Sequence, residues 1–441
     1  MIRNSQERGR ERRKITRRRF GLTLIQGAAA GLAAGRMAHA ADPDFTLAVI
    51  PDTQHLCGTA FTMLTSWIVD NQAADQGGVF STNIKAVIGV GDCTHNQTAG
   101  EFANGQTAYS RLDRAGIPWV NPPGNHDYLT GSDRAQVGSG YRNPGGYFGS
   151  ARRQSMGAWG SLPGGGGSSS WGDAYDNANY YIGLTVGSRR LLIFSLEHFP
   201  RQAVLEWAKG VADASPGYEA IITMHSFITD TGEFATYQGE PGYQIYTNDN
   251  GGQGLITSQA TSDSQFNSGY AVWHSYLREW RNLALVVCGH WLYQPWHTNN
   301  AGAANSWFTQ QRTLIASSPR NMILPDRRDR KDDSPGRNVV QAIFANWQEA
   351  DAGNYPALPG GGGSAGPGVY CSRVPQGPAG ARIAHVMLLH FRPSAGKLDG
   401  YALSTNTGLW EQTFANRNKA PAPTPQLLFS VNDPPGHARI F

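Results

Sequence analysis

The 441-residue sequence predicts an α/β fold with a functional site at its strand ends, on three observations. Short apolar runs alternate with segments of helical periodicity, the pattern of strands joined by crossover helices. The runs are continuously apolar, as strands covered on both faces are. Five of them lead into carboxylate, amide or imidazole residues, at the edge where open α/β sheets bind their ligands.

The elements follow in order. "FTLAVI" (45–50) runs into "PDTQH", "IKAVIGV" (84–90) into "GDCTH" and "GIPWV" (116–120) into "NPPGNHD". "AIITM" (220–224) runs into "HSF", and "LALVV" (283–287) into "CGHW". Helical spacing is read in "FTMLTSWIVDNQAA" (61–74), "GQTAYSRLDRAG" (105–116), "RQAVLEWAKGV" (201–211) and "GYAVWHSYLREWRN" (269–282). "NVVQAIFANW", "ARIAHVMLLHF" and "KLDGYALST" read as later strands, expected to complete a second sheet and not a separate domain. "LPGGGGSSSWG" (162–172) and "LPGGGGSAGPG" (358–368) are expected to be flexible surface loops, and "DRRDRKDDSPGR" (326–337) a solvated one.

Charge divides the chain unevenly. Residues 1–40 hold nine Arg and one Lys against Glu7 and Glu11, a net +8 in a chain whose total is +4, so the remainder carries −4. A mildly acidic body argues against a general nucleic-acid-binding surface. The first forty residues read as an address: a basic region, a stretch of small apolar residues, and Ala38-His39-Ala40 as a cleavage site. Thr16, Arg17, Arg18 and Phe20 resemble the twin-arginine pattern of bacterial proteins exported after folding, by machinery that would then be a partner. A basic tail with an uncleaved anchor helix is the alternative, but the stretch is short, rich in Gly and Ala, and broken by Arg36. The expectation is a cleaved signal over 1–40, a single domain over 41–441 without a membrane span, and a periplasmic or secreted product. Cys57, Cys93, Cys288 and Cys371 lack the paired spacing of a zinc–thiolate framework.

The strand ends supply Asp52, Gln54, Asp92, His95, Asn125, His126, Asp127, His225 and His290, with His297 further on. Any one of these has an ordinary reading as a helix cap or a satisfied buried histidine. Their recurrence after five successive apolar runs is what points to chemistry. Oxygen and imidazole donors without thiolate suit Mn, Fe, Zn or a similar divalent ion. Two such ions about 3.5–4 Å apart clamp a phosphoryl group and acidify a water, with a carboxylate between them. Asp92, after "VIGVG", is the candidate bridge.

"DTQ", "GDCTH", "GNHD", "MHS" and "GHWL", in that order over residues 52–292, resemble the signature of calcineurin-like metallophosphoesterases. The resemblance covers about residues 46–298. It implies a four-layer α/β/β/α sandwich of two mixed sheets with a dinuclear centre at one edge. It assigns Asp52 and Gln54 to a first metal, Asp92 to the bridge, and Asn125, His225 and His290 to a second metal. His126 would face the substrate and protonate the leaving oxygen, and Asp127 would orient it by accepting its other ring proton. Gly124 would let the backbone turn tightly enough to aim Asn125 inward.

Two departures matter. Gln54 stands where the family usually has His, and its amide oxygen shifts the preference towards Mn, Fe or Mg. Leu292 replaces the last histidine of G-H-x-H, so the first metal lacks a ligand. His95 is the leading substitute, with His297 and His55 as alternatives. The expected function is an exported metal-dependent phosphoesterase acting on mono- or diesters by metal-activated hydroxide. The competing reading is a catalytically weakened phosphate- or polymer-binding module on the same fold.

Overall fold

A computed structural model describes residues 42–54, 56, 58–95, 98–127, 159–161, 179–228, 234–235, 267–280, 282–290, 340–345, 384–405, 407–410 and 422–432. The proposed export signal, the two glycine-rich stretches, residues 326–337, Cys57, Cys371, His55, Leu292 and His297 lie outside them.

Three strands follow the first three apolar runs: β1 (Phe45–Ile50), β2 (Ile84–Gly89) and β3 (Trp119–Val120). They pair in parallel, so their carboxyl ends share one edge. Two helices supply the crossovers. The first, α1 (Gly58–Asp70), buries Phe61, Leu64 and Ile68. The second, α2 (Ala99–Ala115), begins earlier than its apolar spacing indicates, because Thr98 and Glu101 cap each other's backbone N–H groups. Gly116, in the left-handed conformation, closes it.

The second sheet is built from β4 (Trp159–Ser161), β5 (Tyr180–Val186), β6 (Arg189–Ser195), β7 (Glu219–Thr223), β8 (Leu283–Cys288) and β9 (Gln341–Phe344), side by side in that order. Its β6–β9 portion is parallel and its β4–β6 portion antiparallel. Helices α3 (Gln202–Asp213) and α4 (Gly269–Ser275) connect its parallel strands, with a 3₁₀ turn, Leu277–Glu279, after α4.

The late strands divide between the sheets. β9 joins the second sheet, as expected. β10 (His385–Arg392) and β11 (Lys397–Ser404) join the first instead, which corrects the expectation that all three complete the second. β10 runs antiparallel to β1, and Phe391 stacks on Phe45 with ring centroids 4.7 Å apart. β12 (Leu409–Trp410) and β13 (Phe429–Asn432) both pair with β11.

Both sheets are mixed, and apolar clusters define four layers. Leu47, Val49 and Ile88 of the first sheet interlock with Ile193, Leu285 and Ile343 of the second. On the outer face of the first sheet, Ala48 and Val87 pack with Phe61 and Leu64 of α1 and with Phe102 and Leu112 of α2. On the outer face of the second, Ile222 and Val286 pack with Leu205 of α3 and Trp273 of α4. The fold is therefore the α/β/β/α sandwich that the resemblance implies, with every strand of β1–β3 and β6–β9 covered on both faces. No helix among the described residues is long and apolar enough to cross a membrane.

Candidate metal centre

The parallel strands deliver their polar ends to one edge. Asp52 follows β1, Asp92 follows β2, and Asn125, His126 and Asp127 form a 3₁₀ turn after β3. From the other sheet, His225 follows β7 and His290 follows β8. The chain reaches two of these places only through strained backbone. Asp92 and His290 have φ of 53° and 70°, a region costing a non-glycine residue about 1–3 kcal/mol.

Ligand atoms gather around Nε2 of His225. It lies 2.9 Å from Asn125 Oδ1, 3.1 Å from Asp92 Oδ2 and 3.1 Å from His290 Nδ1. Asp92, His225 and His290 each offer a ligand atom within 4.8 Å of the others. The ring of His225 is oriented from behind by its Nδ1–H, which donates to the Val90 carbonyl at 2.7 Å. Beside this group, Gln54 Oε1 meets His95 Nδ1 at 3.2 Å, and the Gln54 N–H donates to Asp52 Oδ1 at 3.1 Å. Asp52, Gln54 and His95 are thus linked to one another beside the Asp92, His225 and His290 group, and Asp52 and Asp92 are both buried.

Two buried carboxylates and the imidazoles beside them shift one another's protonation. Burial, and then the charge of Asp92, push the Asp52 carboxyl well above the usual carboxylate range. Asp52 Oδ2 is buried without a hydrogen-bond partner. An anionic oxygen in that position has a large cost unless a positive charge meets it. For Asp92 burial acts the same way, but His225, His126 and His290 together hold it down at about 2. Burial disfavours a proton on His225, yet Asp92 and Asp52 keep it there up to about 9. Burial and the neighbouring His225 charge push His290 the other way, well below its ordinary value. Two buried carboxylates, two amide oxygens and imidazoles, with no thiolate among them, fit hard or borderline divalent ions.

His126 and Asp127 part company with expectation. His126 Nδ1 lies 2.9 Å from the His95 carbonyl, which can only accept, so Nδ1 carries the proton and Nε2 is left as the basic nitrogen. Asp127 does not take that proton. Its carboxylate instead accepts the N–H groups of Cys93, Thr94 and Gly124 and the Thr94 hydroxyl. It is a clamp on the loops carrying Asp92 and Asn125. Burial and Asp92 raise it to about 7 against the pull of those donors. Gly124 also has a different reason from the one anticipated. Its backbone is not left-handed, but a Cβ there would collide with Asp92 Oδ1 and N. Close approach of two loops is what requires glycine.

Some contributors carry weaker sequence signals. Glu101, part of the T-x-x-E cap, also accepts the His95 N–H at 3.3 Å. Asn121, the first residue past "GIPWV", accepts the Gly91 N–H and donates to Cys93 Sγ. His198 is buried with its ring 5.1 and 5.2 Å from those of His225 and His290. Cys93 and Cys288 are both buried.

No protein-family model and no curated protein matches this sequence. Among solved structures, the chain is similar to a purple acid phosphatase from seeds of yellow lupin (Lupinus luteus), with 11% sequence identity and a TM-score of 0.37. The match covers 84% of this chain and 53% of that one, so this chain spans about half the length of its structural neighbour.

Proposed function

We propose that the protein is an exported, metal-dependent phosphoesterase that hydrolyses phosphate mono- or diesters at a dinuclear centre. One observation carries the reading. Asp92, Asn125, His225 and His290, drawn from both sheets, point four ligand atoms at one place beside a second buried carboxylate, Asp52. Asp92, Asn125, His225 and His290 would hold one ion, and Asp52, Gln54 and His95 the other, with Asp92 shared. Divalent ions bound there supply charge neutralisation of phosphoryl oxygens and acidify a water.

The chain's own residues supply the rest. His126 is only partly buried, and its Nδ1 is fixed on the His95 carbonyl. With Nδ1–H bound to that carbonyl, Nε2 is the atom that faces the reaction: once it has taken up a proton to form the imidazolium, it would donate a hydrogen bond to a phosphoryl oxygen and pass that proton to the leaving oxygen. The His95 ring stacks against His126 at 5.0 Å and 17°, keeping its plane in place. Asp127 holds both ligand loops. The export part of the proposal rests on the twin-arginine-like start of the sequence and predicts a mature chain beginning near Ala41.

The test is hydrolysis of p-nitrophenyl phosphate and bis-p-nitrophenyl phosphate by purified protein, before and after chelation, with Mn²⁺ restored. Activity that chelation removes and Mn²⁺ returns supports the phosphoesterase, and the preferred ester chooses its subclass. Metal-loaded protein inert on both esters would favour the phosphate-binding module.

A further inference from the structure

The residues that would hold the ions come from two sheets that meet through apolar side chains. Hydrophobic contact scales with area and has little direction, whereas a working metal site needs its donors held to about 0.5 Å. Something directional must set one sheet against the other at this edge.

Hydrogen bonds cross there. Thr223, the last residue of β7, donates from Oγ1 to the carbonyl of Gly89, the last residue of β2, at 2.8 Å. Two residues on, His225 Nδ1 donates to the Val90 carbonyl at 2.7 Å. The Asn121 N–H, just past β3, donates to the Tyr180 hydroxyl of β5 at 2.9 Å. Thr223 and Tyr180 are wholly buried and Asn121 nearly so. Asn121 passes the grip to Asp92. Its Oδ1 accepts the Gly91 N–H at 3.3 Å and its Nδ2 donates to Cys93 Sγ at 3.1 Å, so both neighbours of Asp92 are tied to it. Gly89 has no side chain because the Asn121 amide occupies the place of its Cβ.

We propose that Thr223, Tyr180 and Asn121 are positioning residues, a polar seam that fixes the half-site on the first sheet against the half-site on the second. The inference rests on the metal-centre reading. Thr223 sets the spacing between the strand ends that carry Asp92 and His225, and Tyr180 with Asn121 sets the third strand. None of the three needs to touch an ion. Their effect passes through Gly89, Gly91 and Cys93 to Asp92.

The experiment is calorimetric titration of the metal-free full chain with Mn²⁺, alongside thermal melting, for wild type, Thr223→Val, Thr223→Ser, Tyr180→Phe and Leu205→Ala. Leu205 lies on α3 in the outer core and is not among the residues of the seam. Thr223→Val keeps the side-chain shape and removes the hydroxyl, and is expected to weaken Mn²⁺ binding about 10-fold, the scale of losses behind a metal's direct ligands. Tyr180→Phe should weaken it in the same direction, and Thr223→Ser should restore wild-type affinity. Leu205→Ala should lower the Tm with affinity unchanged, separating general destabilisation from misplacement. Wild-type affinity in both Thr223→Val and Tyr180→Phe would overturn the seam while leaving the metal centre standing. Wild-type protein that binds no Mn²⁺ would overturn the metal-centre reading and the seam with it. Should Thr223→Val not fold, Tyr180→Phe alone decides.

Discussion

Nε2 of His225 faces an amide oxygen, a carboxylate and a second imidazole, all within 3.1 Å. In the metal-free protein a proton occupies that position, held to about 9 against the ordinary 6.5. A proton bound more tightly in the folded chain than in the unfolded one stabilises the fold fully below pH 6.5. That contribution disappears as pH rises through about 9. The same proton competes with a cation, so Mn²⁺ binding at pH 7 should release at least one proton and tighten as pH rises towards 9. Calorimetry at pH 7 in two buffers of different ionisation enthalpy measures this, and a buffer-independent enthalpy would contradict it. Substitutions divide the other roles. Asn125→Ala and His225→Ala should lower bound metal, read by elemental analysis. His126→Ala should leave it bound and slow turnover by roughly 10²–10⁴-fold, as for an acid–base group. Normal turnover in that variant would remove His126 from the mechanism. The identity of these residues is legible because each follows an apolar run. The partner of Asp127 is not, since adjacency to His126 in sequence says nothing about which donors in the Asp92 loop reach its carboxylate.

At the scale of elements, the strand-end turns do the delicate work. Asp92 leaves β2 through Gly91, at φ 97°, and then takes a left-handed conformation itself. Gly124 of the next loop packs against it where any side chain would collide. Overpacking a fitted site of this kind costs about 1–3 kcal/mol, and here the displaced group is the carboxylate proposed to bind metal. Gly124→Ala should therefore lower both the melting temperature and the metal content, with every ligand residue still present. Unchanged metal content would mean that Asp92 tolerates the shift. The helices were readable from their periodicity and eight of the thirteen described strands from their apolar runs, but their ends depended on other signals. For α2 the apolar spacing starts at 105, while the Thr98–Glu101 capping box, visible in the sequence as T-x-x-E, starts the helix at Ala99.

Over the whole molecule, the central layer joins both sheets and so links everything else. Leu47 of β1 is fully buried in it, facing residues of the second sheet. Leu47→Ala should cost about 2–5 kcal/mol, as deletion of a large core side chain does. Because the layer is shared, the loss should appear as one transition shifted downwards by both near- and far-ultraviolet circular dichroism. Two separated transitions would indicate that the sheets unfold independently.

By itself the sequence determined the helices, the strands that end in polar residues and the list of those residues, because hydrophobic periodicity and strand-end chemistry are local properties of the chain, while β4–β6, β12 and β13 were not legible in it. Tertiary structure alone decided that β10 and β11 flank β1, that Asp127 clamps loops and that His198 packs on the candidate ligands. It also decided that Thr223 and Tyr180 tie the sheets together. Each of these depends on atoms brought within about 5 Å from distant parts of the chain, and no spacing in the sequence encodes such a distance.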